Sequence, residues 1–332
     1  TIALTFLLVK SEKDLGIYIV IHSASVLLSN MFYMVIMPRY VVRVERSELH
    51  PLRHMRGSIE FFIPLIAVKI YSYLDKLMLG WYMTSTVENG YYEQARKITT
   101  LIVAVIISLN HVMMSRVSNL YAKNRKKDIL RFYQRTFNII LLLVFPICVG
   151  LVLVSENFSI WFFGAEFQKT GLLLKYCSFL IVFMCVGNFV GVQFLAPTGR
   201  QNKMTITYVI AALVNIGMNA LLIPRLYSIG ALIASVIAEF VSCSMQIYLL
   251  MRSDYRFNMI KDSWTYLISV AVMAGTILML HAICPLSGIV STVLDVFLGA
   301  LVYIVMLYLL REENVRMLMY KVVQKLFRTH KN

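Results

Sequence analysis

Long apolar runs separated by short polar stretches repeat along most of this chain. Each run has about 18–25 residues, the length that a helix needs to cross the hydrocarbon core of a bilayer. The strands of a membrane barrel would instead alternate in polarity over about ten residues, so the runs are predicted to be helices. We predict nine complete spans, at residues 15–37, 57–80, 95–118, 132–154, 171–194, 204–223, 229–251, 263–284 and 289–311.

The first residues of the chain, "TIALTFLLVK", form a shorter apolar run that ends at Lys10. It is too short to cross a bilayer, and it lacks the basic start and the cleavage site of a signal peptide. We interpret residues 1–9 as the end of a partial span and expect an N-terminal part of the protein to precede it.

Composition supports a membrane protein. Hydrophobic residues make up 59% of the chain and charged residues 15%, and the mean hydropathy is +0.72. Soluble domains are about 45–50% apolar and about 25% charged. The predicted fold class is therefore an all-α polytopic membrane protein. The five cysteines lie in or beside apolar runs and form no CxxC or Cys/His cluster, so no disulfide framework, metal site or cofactor is indicated.

The net charge of +15 follows the predicted topology. Alternate connections, with the C-terminal tail, carry 22 Lys and Arg residues, whereas the intervening connections carry 4. By the positive-inside rule the basic connections and the tail are cytoplasmic, and apolar residues at helical spacing in the tail favour a helix on the anionic inner leaflet. Nucleic-acid binding would instead gather the charge on one folded face.

The span at 57–80 carries ionisable residues at membrane depth. Lys69, Ser72 and Lys76 fall on one helical face, and Asp75 lies about 100° around from Lys76, close enough to share the same wet surface. Charges in the bilayer core are costly and usually face a bundle interior or a water-filled cavity.

Two more spans carry polar stripes. Near 95–118 the stripe includes Glu93, Lys97 and His111, with Arg96 beside it. The span at 229–251 has a stripe formed by Ser235, Glu239, Ser242 and Gln246. Single serines and asparagines, among them the pair Asn215 and Asn219, also serve as interhelical hydrogen-bond partners, and that packing alternative stays open. Three coherent stripes together indicate a shared cavity.

The net charge of the predicted cavity indicates its cargo. Its cationic side chains outnumber its acidic ones, so the cavity favours an anion such as a phosphate. The cavity residues that we expect to bind it are Lys69, Ser72, Lys76, Arg96, Lys97 and His111. Asp75 and Glu239 are the candidates for ion coupling, because an acid at mid-span can carry a proton or pair with an ion. Glu93, Ser242 and Gln246 are expected to support the polar face.

Several motifs in order carry a family resemblance. They are "IYSYLDKLMLGWY", "ENGYYEQARKI", "MSRVSNLYA", "FFGAEF", "GVQFLAPTGRQNKM", "VNIGMNALLIP" and "GALIASVIAEFV". In these the chain resembles the Wzx-type flippases of capsule and O-antigen synthesis, within the multidrug/oligosaccharidyl-lipid/polysaccharide exporter superfamily. The matching site positions are Asp75, Lys76, Glu93, the Arg96–Lys97 pair and Glu239, whereas Lys69 departs from the family, in which a neutral residue is usual.

The resemblance implies two six-helix bundles around a central cavity, followed by two extra helices. Residues 1–50 would then be the remnant of the first bundle with a cytoplasmic linker, 51–255 the complete second bundle, and 256–332 the extra helices and basic tail. The implied activity is not enzymatic. It is ion-coupled, alternating-access translocation of undecaprenyl-diphosphate-linked oligosaccharides across the bacterial plasma membrane, with the polymerase and chain-length proteins of the same pathway as partners.

Two other functions are weighed. A drug exporter of the same superfamily would favour acidic and aromatic cavity residues with few cations. A membrane polysaccharide polymerase would favour a sizeable outer loop with acid and base residues, whereas the longest outer loops here have about fifteen residues.

Overall fold

A computed structural model of the chain describes residues 2–41, 73–83, 86–260, 263–284 and 286–317, with the single residues 55, 59, 62 and 66. The chain divides into two compact units, residues 1–57 and 58–332. All the long elements of the described residues are helices, which confirms the all-α fold class.

The first unit holds two helices, α1 (Ile2–Leu8) and α2 (Leu15–Ile36). A 3₁₀ turn at Glu12–Asp14 joins them, and a second one at Met37–Arg39 follows α2. With 22 residues, α2 is about 33 Å long, enough to cross a bilayer. Ile21 is the buried residue of α2, and its other apolar side chains are at least partly exposed within the described chain, as suits a helix surrounded by lipid.

The second unit begins, within the described residues, with a helical stretch at 73–82 that we call α3. The helices that follow it are α4 (Val87–Ala122), α5 (Lys126–Phe163), α6 (Gln168–Asn188), α7 (Gln201–Met251), α8 (Ser263–Ile283) and α9 (Gly288–Leu309). A π-helix, Phe189–Leu195, continues α6 toward α7.

Helix α7 is two helices joined at a sharp break. Its 51 residues would extend about 77 Å as one rod, more than twice the hydrocarbon thickness. Tyr227 interrupts it with a φ of 54° and a ψ of −131°. Beyond the break the chain folds back, since Gln246 Nε2 donates to Thr207 Oγ1 at 3.2 Å. We call the halves α7a (201–226) and α7b (228–251).

A glycine allows the two halves to pack closely beside the break. A Cβ at Gly230 would lie 2.5 Å from the Leu222 carbonyl oxygen, so a larger residue there would force the halves apart. Alanines 231, 234 and 238 continue this small-residue face and are buried. Small residues at one-turn spacing are typical of membrane helices whose backbones approach closely.

Helices α8 and α9 pack against each other and against α5. The Tyr303 hydroxyl of α9 donates to the Leu142 carbonyl oxygen of α5 at 3.1 Å. The Tyr266 hydroxyl of α8 donates to Glu312 Oε1, just beyond α9, at 3.0 Å. These bonds fix the last two helices on the outside of the bundle formed by α3 to α7.

Seven helices of the described residues are long and apolar enough to cross a membrane. Because α7 contributes two runs, they account for eight of the nine predicted spans. The remaining span, 57–80, falls mostly outside the described residues, as do Lys69 and Ser72. The basic tail is described only to residue 317, with residues 313–317 helical.

Candidate functional site

A buried carboxylate, Asp75 of α3, lies at the centre of the second unit with none of its surface exposed. It accepts hydrogen bonds from the Tyr92 hydroxyl at 2.6 Å, from Asn219 Nδ2 at 2.6 Å and from the Ser235 hydroxyl. The donors come from α4, α7a and α7b, so one carboxylate ties α3 to three other helical segments. Asn219 Nδ2 also donates to Asn215 Oδ1 at 3.1 Å.

The three side chains that donate to Asp75 are neutral, and no ion pair to this carboxylate is found among the described residues. An ionised carboxylate buried in a low dielectric is costly even with three hydrogen bonds. Asn219 Oδ1 is also buried and has no hydrogen-bond donor among the described residues. Carboxylate, hydroxyl and amide oxygens together suit a proton or a small hard cation.

Lys76, next to Asp75, faces a different environment. Its ammonium pairs with the Glu93 carboxylate and lies 5.8 Å above the Tyr73 ring. Both members of the pair are about one-third exposed, at 37% and 34% of their side chains. The expectation that Asp75 shares the wet surface of Lys76 therefore needs correction. The rotation of 100° between neighbours turns Asp75 into the packed interior of α3, α4 and α7.

The other expected cavity residues are only partly located. Arg96 is half-buried one helical turn after Tyr92, and Lys97 is exposed. His111 lies within α4, but its side chain is not among the described ones. Lys69 and Ser72 lie outside the described residues. The structure thus brings Lys76, Glu93 and Arg96 to the region around the Asp75 network.

A second buried carboxylate, Glu239 of α7b, lines a small polar cavity of about 150 Å³. Glu239 is 9% exposed, and Gln246 and Ser242 on the same helical face are buried. Gln246 Nε2 lies 3.4 Å from Ser242 Oγ, and its amide oxygen has no donor among the described residues. Other polar lining residues are Asn188 and Tyr208. The stripe predicted from sequence is therefore shared between two sites, with Ser235 at Asp75 and the rest at this cavity.

An amide chain beside this cavity was missed from the sequence. Asn110 Nδ2 donates to Asn188 Oδ1 at 2.9 Å, and Gln193 Nε2 donates to Asn110 Oδ1 at 2.8 Å. Gln193 lies in the π-helix, and the Tyr133 hydroxyl donates to its backbone carbonyl at 2.8 Å. Such π-segments cluster at functional sites. The apolar run at 171–194 gave no signal for it.

Glu88 forms a second link that sequence reasoning did not single out. Its carboxylate accepts bonds from Lys169 Nζ and from the Ser228 hydroxyl, both at 2.6 Å. Ser228 follows the break at Tyr227, so Glu88 fastens the starts of α4, α6 and α7b together. Lys175 likewise pairs with Glu156 at 2.5 Å. Lys169 and Lys175, near the start of α6, are thus both in ion pairs with carboxylates.

A larger apolar cavity, of about 740 Å³, lies between α4, α5, α8 and α9. Its lining is almost wholly aliphatic and aromatic, with Asp295 as the charged member among the described residues. Asp295 is paired with His281 of α8 at 2.9 Å. The size and apolar lining fit a hydrocarbon chain better than a sugar or an ion.

The chain matches known proteins in sequence. A family described as "Polysaccharide biosynthesis protein" matches residues 16–171. A Haloferax volcanii protein named "probable low-salt glycan biosynthesis flippase Agl15" is 24% identical over 236 residues, covering 70% of this chain and 49% of that protein. A Shigella dysenteriae protein assigned as an O-antigen transporter is 21% identical over 223 residues, covering 65% and 54%. The chain spans about half the length of these relatives.

Solved structures share the fold. The lipid II flippase MurJ in an inward closed conformation matches with a TM-score of 0.65 at 16% identity, over 80% of this chain and 57% of MurJ. A multidrug resistance MATE transporter in an outward-facing conformation matches with a TM-score of 0.52 at 15% identity, over 76% and 64%. The sequence matches confirm the resemblance to proteins of polysaccharide biosynthesis and export, and the solved structures show that the fold is shared.

Proposed function

We propose that this chain is part of a flippase that moves an undecaprenyl-diphosphate-linked oligosaccharide from the cytoplasmic to the outer leaflet of the plasma membrane. The observation that carries the proposal is the grouping of Lys76, Glu93 and Arg96 around the buried, hydrogen-bonded carboxylate of Asp75, inside a multi-span membrane protein. The names of the relatives support the same cargo class, since those proteins are a glycan flippase and an O-antigen transporter.

The cations would hold the diphosphate. Lys76 offers a point charge, whereas Arg96 can donate two parallel hydrogen bonds to phosphate oxygens. Lys76 is paired with Glu93 in the structure. A bound diphosphate would replace the Glu93 carboxylate as the partner of Lys76, and it carries more negative charge. Lys97, exposed on the next position of α4, would add a third cation. Lys69, Ser72 and His111 remain proposed members of the same surface.

The apolar cavity between α4, α5, α8 and α9 would receive part of the isoprenoid chain. Burial of a hydrocarbon chain there is favourable at about 25 cal/mol per Å², and its aliphatic walls offer few competing polar groups. The sugars would cross through water. This division assigns each chemical part of the cargo to a surface of matching polarity.

Ion coupling is proposed at Asp75. A proton or a small cation would bind this buried carboxylate, whose donors lie on both halves of α7. A proton or cation bound at Asp75 would change how strongly α7a and α7b are held against α3. The inward and outward states would then differ in their affinity for that ion, as coupling requires. Glu239 is the second candidate, because a cavity gives it room for a small ion.

The orientation is also proposed. Residues 39–56, 116–131, 197–204 and 252–262 and the tail 311–332 carry 22 of the 32 Lys and Arg residues, and by the positive-inside rule this supports a cytoplasmic location for them and for the C-terminus. The connections at 83–87, 163–168 and 283–288 would then face outward. The polymerase and chain-length proteins of the pathway are proposed partners.

The test is transport by the full-length gene product. Deleting the gene should leave lipid-linked repeat units on the cytoplasmic face, and the purified protein in vesicles should restore their exposure on the other face. Export of cationic drugs without transport of the lipid-linked glycan would support the drug-exporter alternative. A lengthened glycan product made by the purified protein would support a polymerase instead. Either result would overturn the proposal.

A further inference from the structure

The two ends of the second unit treat their cations differently. At the end that carries Glu88, Lys76 and Lys169 are paired with carboxylates. At the opposite end, Arg125 with Asp128, at 2.6 Å, is the ion pair among the described residues. Five other cations of that end are placed over aromatic rings: Arg116 over Phe132, Lys126 over Tyr255, Arg200 over Phe194, Arg252 over Tyr248 and Arg316 over Tyr308.

Two of these cations converge on one aromatic pair. Lys126 Nζ lies 6.0 Å from the Tyr255 ring centroid, and the Arg200 guanidinium lies 5.0 Å from the Phe194 centroid. The two rings are 6.1 Å apart. The group is assembled from three connections, α4–α5, α6–α7 and α7–α8. We call Lys126, Arg200, Phe194 and Tyr255 the headgroup seat.

The seat has an excess of positive charge that the described residues leave uncompensated. No carboxylate lies within ion-pair distance of Lys126 or Arg200 in the described part of the chain. Asp254 is adjacent in sequence to Tyr255, but Arg252 and Arg256 flank it. A ring face attracts a cation without neutralising it, so the remaining N–H donors can still bind an anion.

The local backbone adds to this excess. Lys126 begins α5, whose first turn carries Asp128 in an ion pair with Arg125, whereas Arg200 immediately precedes α7, whose first turn has no acidic residue. A cation at a helix N-terminus is unfavourable, because the helix dipole already concentrates positive charge there. An anion between the two cations would relieve both repulsions.

We infer that the headgroup seat binds the phosphate of an anionic phospholipid. The surroundings favour a lipid over a free phosphate, because aromatic residues at the end of a membrane helix lie at headgroup level. From Lys203 the helix α7a continues with an exposed apolar stripe of Ile206, Val209 and Leu213, at 54%, 41% and 64% exposure, on which an acyl chain can lie. The cargo of the proposed function plays no part in this inference.

The seat is tested with the purified full-length protein in mild detergent, by native mass spectrometry with phosphatidylglycerol as the anionic probe and phosphatidylcholine as the zwitterionic one. The test variant is Lys126→Gln with Arg200→Gln. The matched control is Lys127→Gln with Lys203→Gln, which removes the same charge from the same two connections but from cations that lie over no ring in the described residues.

We expect the test variant to lose affinity for phosphatidylglycerol by about tenfold or more, as for lost charge-assisted hydrogen bonds. The control should lose less than about threefold, since diffuse surface charge is well screened, and phosphatidylcholine binding should not change. Equal losses in both variants would overturn the seat, and so would full competition by inorganic phosphate, which would indicate a free anion. The single variant Lys126→Gln, at an exposed position, keeps the test valid if the double variant fails to fold.

Discussion

Asp75 and Glu239 are two buried carboxylates of one helix bundle, and their surroundings differ. Asp75 is completely enclosed and accepts hydrogen bonds from three helical segments. Glu239 lies on the wall of a cavity of about 150 Å³. A carboxylate enclosed by neutral donors is coupled to the positions of the helices that carry them. A carboxylate on a cavity wall can exchange a bound proton or ion with less movement of the protein.

The comparison assigns different tasks to the two acids. In our account Asp75 links the charge state of the bundle to the angle between α7a and α7b, because Asn219 and Ser235 lie on opposite sides of the break at Tyr227. Glu239 instead lines the small polar cavity that also includes Asn188, a member of the amide chain that reaches the π-helix. The variants below are arranged to separate these tasks.

The largest effect is expected from Asp75→Ala. It leaves the Tyr92 and Ser235 hydroxyls and one N–H of the Asn219 amide buried without their carboxylate acceptor, which costs about 3–5 kcal/mol in unfolding free energy. Glu239→Ala should cost less than half as much, because the cavity lets water reach the groups it leaves behind. Thermal unfolding of the purified variants measures both. A Glu239 variant that is the less stable of the two would contradict the comparison.

The next effect concerns the cations around the Asp75 network. Lys76→Ala and Arg96→Ala should each reduce flipping of the lipid-linked glycan by about tenfold, the loss of one charge-assisted contact to the diphosphate. Membrane insertion should be unchanged. Lys127→Ala, at the opposite end, serves as the control and should transport normally. Normal export by both test variants would remove these residues from the cargo site.

Two serines on one face of α7b give a matched pair. Ser235 donates to Asp75, whereas Ser242 makes only a long contact, 3.4 Å, with Gln246. Ser235→Ala should destabilise the protein by about 1–2 kcal/mol, since it removes a bond to a carboxylate, and Ser242→Ala by less than about 0.5 kcal/mol. Chemical or thermal unfolding decides the order, and equal costs would mean that Asp75 does not depend on Ser235.

The smallest effect is expected at Lys175. Its partner Glu156 is 52% exposed, and Lys175 itself is 35% exposed. Exposed ion pairs contribute little, so Lys175→Gln should change the unfolding free energy by less than about 0.5 kcal/mol. A loss above 1 kcal/mol, measured in the same way, would show that lysines at this end of the bundle matter for stability as much as Asp75's donors.

Periodicity predicted much of this bundle. Polar residues at spacings of three and four placed Ser235, Glu239, Ser242 and Gln246 on one face of a helix, and all four are buried together. Asn215 and Asn219 were noted as polar residues one turn apart and as candidates for interhelical hydrogen bonds, and Asn219 does bond across helices, to Asp75 of α3, as well as to Asn215 at 3.1 Å. These features depend only on the helical repeat, which the sequence carries directly.

Features that depend on packing between helices escaped prediction. The hydrogen bond from Tyr92 to Asp75 could not be predicted from the sequence, because the two residues are 17 positions apart and lie on different helices. The ion-pair partner of Lys76 could not be predicted either. Asp75 is adjacent to Lys76 in sequence, but the carboxylate that pairs with Lys76 is that of Glu93. The break at Tyr227 was predicted only as a short connection between the spans 204–223 and 229–251. Contacts of this kind are set by tertiary packing, which no local pattern records.

The central claim is that Asp75 carries the coupling ion. Its most direct test is uptake of the lipid-linked glycan by vesicles that contain the full-length protein, measured with and without a proton or sodium gradient. We predict that Asp75→Asn, which keeps the shape of the side chain, abolishes the dependence on the gradient, whereas Glu239→Gln preserves it. An Asp75→Asn protein whose transport responds to the gradient as strongly as the parent protein would contradict the account.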